Sequence, residues 1–256
     1  MKKIFNFSKQ TKKLITGILI ITCAAFLTAW TYYSGKNRAE DPRVVRTKFI
    51  LKEFDELMKV NDFSTALPLL DTIESILTRV PGYSESYESG LVYNNRGSVY
   101  LNLALYNDKD STEKMNLLYL AKKNIDSSIF IYNRWLDRFR TLSKEELVTS
   151  VKPFFPENCD AFKGRNYRKI LIKRVEDLFL AQKETPRRLS VCYTNLGIVL
   201  RHQHKQEEAA DSYIMAIRLW KDNYTARNNF NVLMGKPPRD RSIITQLFPP
   251  DKRNFN

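Results

Sequence analysis

Histidine and cysteine are where nucleophilic or metal chemistry would be sought first, and this chain holds two of one and three of the other. His202 and His204 sit between Arg201 and Lys205. A metal ion placed there would meet cations, so the pair reads as solvated surface at a helix-to-turn junction. Cys159 and Cys192 are too few for a disulfide framework. Nothing adjacent in sequence would activate either thiol. A glycine-rich phosphate loop is also missing. These residues imply no catalytic group, no metal and no cofactor, and the chain is expected not to be an enzyme.

Cations and amides offer the other chemistry. Lys163, Arg165, Arg168, Lys169, Lys173 and Arg174 fall within 12 residues, with Arg187 and Arg188 close behind. Such a cluster attracts anionic lipid headgroups, an acidic envelope polymer or nucleic acid, or else is a solvated helix face. Asn95, Asn195 and Asn229 recur at one register position of three helical segments. Each amide offers a donor and an acceptor, so a ladder of them can pair with an extended peptide's backbone, or can bridge neighbouring helices.

The elements that position these groups are helical. Only 8 glycines and many charged helical faces, in a chain of 256 residues with net charge +14, point to an all-α protein. Residues 14–33 carry no charge over 20 positions, about 30 Å of helix and so a bilayer's hydrocarbon thickness. Trp30, Tyr32 and Tyr33 would lie at one interface, and Lys9, Lys12 and Lys13 at the other. The rival is a cleaved signal peptide with Cys23, Ala24 and Ala25 near its site. The segment is read as a single transmembrane helix. Residues 1–13 form a basic cytoplasmic tail with five lysines and no acid, which places the folded part outside the cytoplasm.

A linker is expected at 34–42, a helical domain at 43–234 and a Pro-rich tail at 235–256. Val44 to Val60 should bury Phe49, Ile50, Phe54, Leu57 and Met58, and a second helix Ala66, Leu70, Ile73 and Leu77. Ser84 to Phe139 forms a longer pair, and Ser143 with Glu146 reads as a capping box. A basic helix covers Tyr167 to Gln182, and Pro186 leads into a further hairpin from Leu189.

That last hairpin has Tyr193, Leu196, Gly197 and Leu200 on its first helix, and Ala209, Tyr213 and Ala216 on its second. It resembles the tetratricopeptide repeat, whose pattern is W-x2-L-G-x2-Y followed by A-x3-F. Lys221 stands where that family closes on proline. Tyr93, Gly97 and Tyr100 echo the same pattern, with 24 residues from Gly97 to Ala121 against 12 from Gly197 to Ala209. The resemblance implies hairpins stacked into a solenoid whose concave face, lined by first helices, holds a peptide or helix of another protein. The expected role is therefore a membrane-anchored scaffold in a membrane complex. Binding of anionic envelope polymer or lipid headgroups through the basic helix is the alternative, and no nucleic-acid partner is expected.

Overall fold

A computed structural model describes residues 8–106 and 110–238, apart from the side chains of 32 and 34–38. The basic tail before Ser8 and the Pro-rich tail beyond Pro238 lie outside the described residues. Among the described residues the regular elements are nine α-helices and two short 3-10 turns.

Helix α1, Lys9–Arg38, carries the apolar run. Lys9–Thr31 has mean hydropathy 2.0 and is unburied, long and apolar enough to cross a membrane, as a signal sequence also is. Thr16, Thr22, Thr28 and Thr31 each turn the hydroxyl onto a carbonyl four residues back. That bond hides their polarity and makes threonine compatible with lipid.

The expected linker at 34–42 is not one. Helix α1 continues to Arg38, and Ala39 and Asp41 are then buried at 8% and 6% exposure. Asp41 accepts hydrogen bonds from the Arg43 backbone and guanidinium and from the Tyr83 hydroxyl, which pins the turn to the domain.

Helices α2, Val45–Lys59, and α3, Phe63–Arg79, form the first hairpin. Asn61 takes φ +58° at its turn, and Asp62 caps α3 through the Thr65 amide. Phe54, Ala66, Leu70, Ile73 and Leu77 are buried between the hairpin and its neighbours. Phe49, expected inside, is 69% exposed. At about 100° per residue it stands some 140° away from Phe54, on the opposite face.

The second hairpin pairs α4, Tyr87–Tyr106, with α5, Ser111–Phe139. Gly97 lets these helices touch: a Cβ there would stand 2.6 Å from Ile125 Cγ1 and 3.1 Å from the Ala121 carbonyl oxygen. Short α6, Lys144–Val151, begins on the Ser143–Glu146 capping box, and 3-10 turns at Lys152–Phe154 and Asp160–Phe162 follow.

Helix α7 departs most from expectation. Tyr167–His202 is a single helix of 36 residues with Pro186 inside it. Leu178 and Ala181 before the proline, and Leu189 and Cys192 after it, are all buried. Their burial outweighs an interior-proline cost of about 3 kcal/mol. His204 turns the chain at φ +61° into α8, Gln206–Leu219, and Asn223 caps α9, Tyr224–Leu233.

Each helix from α2 onward packs on a near neighbour in sequence: α2 on α3, α3 on α4, α4 on α5, α5 and α6 on α7, α7 on α8, α8 on α9. Helix α4 also reaches α7.

Candidate partner-binding cleft

Helices α2, α4 and α7 border an open cleft of about 450 Å3. Its apolar wall comes from Val44, Leu51, Leu77, Val92, Leu180 and Ala181. Charged side chains rise from that wall, and most are committed to partners inside the fold. Arg174 is buried: its guanidinium donates to both carboxylate oxygens of Glu88 and lies 4.1 Å above the Tyr83 ring and 5.7 Å from that of Tyr87. Lys173 pairs with Asp177 and lies 3.7 Å from Glu40, which also accepts from Lys48 at 2.6 Å.

The titration of these groups follows from their surroundings. Burial works to raise the Glu88 carboxyl, but the Arg174 guanidinium and the Ser86 hydroxyl outweigh it and hold the pKa below the ordinary value. At Asp177 burial wins over Lys173, and the carboxyl is raised. Burial also lifts the Tyr83 phenol well above its usual range.

Glu184 differs from the rest. It is 5% exposed; Oε1 accepts from Arg187 at 3.3 Å, and Oε2 has no hydrogen-bond partner among the described residues. It belongs to the cleft's lining.

The expected amide ladder is placed differently. The Asn195 amide donates to the Asn94 side chain, the neighbour of Asn95, at 3.3 Å and so bridges α7 to α4. Asn229 returns its amide to the Thr225 carbonyl of its own helix. Asn95 is half-buried, and Asn95, Asn195 and Asn229 are all absent from the cleft's wall.

The basic cluster splits in two. Arg168 and Lys169 are exposed in the first turn of α7, and Arg165 is exposed just before it. Lys173 and Arg174 do not share that exposure: Lys173, one turn beyond Lys169, is paired with Asp177 and lies near Glu40, and Arg174 is buried on Glu88. Sequence reasoning missed Glu40, Glu88 and Glu184, which carry no local signal. Asp177 was legible as the i+4 partner of Lys173.

A Cβ on Gly197 would meet the Tyr213 ring at 2.5 Å, and Ala209, Tyr213 and Ala216 are wholly buried. Leu196 and Tyr193 are half-buried, and Tyr93 donates to Glu74 beside Gly97 on α4. Behind this hairpin lies a polar network that the sequence did not disclose. Ser190 donates to the Ala216 carbonyl, and the buried Asn223 amide donates to the Ser190 and Thr194 hydroxyls.

Cys192 is fully buried 3.3 Å from the Ser128 hydroxyl, and burial pushes its thiol up to about 12. His202 is half-buried; burial, with Arg201, Lys114 and His204 nearby, lowers its pKa. No group of three or more His, Cys, Asp or Glu side chains gathers as a metal site among the described residues. Compared with known proteins, the chain matches no family model, no curated protein and no solved structure.

Proposed function

We propose that the chain is a membrane-anchored scaffold of the tetratricopeptide type, without enzymatic activity, that holds a peptide or helix of a partner protein between α2, α4 and α7. In this reading α1 spans the bilayer, the basic tail is cytoplasmic and the helical domain stands outside. The observation that carries it is the cleft: a concave, apolar-walled surface of about 450 Å3 bordered by the first helices α2, α4 and α7, with Ile73 and Leu77 of α3 in its wall. Concave sites of that size with a few placed polar groups are where segments of other molecules bind. The half-buried Asn95 and Asn195 continue α4 and α7 beyond the cleft, where a longer segment would extend.

A photo-reactive residue at Leu51 or Leu91, in the cleft, should capture one defined partner from detergent-solubilised membranes. The same residue at exposed Met215 on α8 should not. Equal capture at both positions overturns the reading. The anchor has its own test. After a carbonate wash the full-length chain should stay in membranes, and a mature N-terminus near Phe26 would show a cleaved signal instead.

A further inference from the structure

The chain that leaves α1 has no slack. The span assigned to the bilayer ends at Tyr33, and Ala39 is already buried in the domain. Six residues of helix span about 9 Å, and one leaflet's headgroup layer is about 5–7 Å thick. The domain therefore begins at the lipid surface, and whatever surrounds residues 39–43 faces the bilayer.

What surrounds them is the basic segment. Glu40 lies 3.7 Å from Lys173 of α7. The Arg43 guanidinium lies 4.3 Å above the Phe155 ring and 5.0 Å above that of Phe162, and donates to the Phe154 carbonyl at 2.9 Å. Lys169 is one helical turn from Lys173, about 5 Å, and Arg165 stands just before the helix, next to its Asn166 cap. Between 152 and 169 the chain has five cations, Lys152, Lys163, Arg165, Arg168 and Lys169, all exposed, against the carboxylates Glu157 and Asp160. Asp160 engages Lys163 at 2.7 Å. An apolar group stands in the same neighbourhood: Ile172 is 46% exposed one turn beyond Arg168. Cations interleaved with exposed apolar side chains suit the headgroup layer, where the charge meets phosphate and the apolar group meets the acyl boundary.

We infer that this face, centred on Arg165, Arg168 and Lys169, docks onto anionic headgroups of the same bilayer that α1 spans. Docking holds the domain in one orientation on the membrane and leaves the cleft's far end open to a partner. The inference rests on α1 being a retained span.

The test uses the full chain in nanodiscs, of phosphatidylcholine alone or with one-third phosphatidylglycerol. Acylation of Lys169 is followed by mass spectrometry, with Lys205, exposed beyond the other end of α7 and about 50 Å away, as the internal reference. An anionic surface is worth about fivefold per nearby cation. Lys169 should react at least fivefold more slowly, relative to Lys205, in the anionic discs. Half-molar salt or the double substitution Arg165→Glu, Arg168→Glu should abolish that ratio. A ratio of one for the unaltered chain residing in anionic discs overturns the docking, as does equal protection in both lipids. A chain that fails to co-elute with discs overturns the span reading on which docking rests.

Discussion

The two halves of α7 show two ways of seating one helix. From Tyr167 to Thr185 its apolar packing is joined by charge: Arg174 reaches Glu88 of α4 and Lys173 lies near Glu40, while Lys173–Asp177 and Glu184–Arg187 are pairs within α7 itself. From Ser190 to Leu200 it is positioned by small residues. Gly197 lies under the Tyr213 ring, Cys192 under Ser128, and Ser190 and Thr194 receive Asn223. The first half meets helices distant in sequence, and its long side chains bridge to them. The second meets α8 across a tight turn, and also Ser128 of α5 and Asn223 at the start of α9, with small groups at these contacts. The comparison teaches that the charged half depends on complete pairs, whereas the small-residue half depends on volume.

The comparison breaks most sharply at Glu88. Glu88→Ala leaves the Arg174 guanidinium buried and unpaired, at a cost of about 3–5 kcal/mol. For a domain of this size that lowers Tm by about 10 °C, read by thermal melting. Adding Arg174→Met should recover most of the loss. A double variant no more stable than the single one would show that the pair is not what holds this half.

Gly197→Leu strikes the other half. No rotamer avoids the Tyr213 ring, and the overpacking should cost roughly 1–3 kcal/mol. An unchanged melting point would show that α7 and α8 do not touch as described. Asn223→Ala should cost a similar amount, about 1–3 kcal/mol, because it removes a helix cap and strands the Ser190 and Thr194 hydroxyls.

Acid separates the halves without altering volume. Glu88's folded pKa lies below the ordinary carboxylate value, so its stabilisation is complete above that value and disappears as pH falls through the folded pKa. Asp177, raised by burial, works in the opposite sense and offsets part of that loss. Melting should therefore shift downward below about pH 4.5, and Glu88→Gln should flatten the profile there. The polar groups from Ser190 to Leu200 are neutral and should add no acid dependence, whereas His202 at the helix end, its pKa lowered, withdraws stability as pH falls below the ordinary imidazole value. The smallest effect belongs to Arg165→Glu with Arg168→Glu. Both are exposed, one just before α7 and one in its first turn, and stability away from lipid should change by less than about 0.5 kcal/mol.

Local spacing made much of this protein legible. The uncharged run of α1, the hairpin turn at Asn61–Asp62, the Ser143 capping box and the Gly197–Tyr213 contact all rest on residues within one or two turns, or one short hairpin, of one another. Periodicity and turn chemistry suffice at that range. Tertiary structure alone decided the rest. Pro186 reads as a break until burial on both sides carries the helix through it. The residues 34–42 read as a linker until Asp41 finds Tyr83, and Arg174 reads as surface charge until Glu88, 86 residues away, receives it. A side chain's environment depends on which helix folds against it, and that choice is made by the summed burial of the whole domain rather than by the chain on either side.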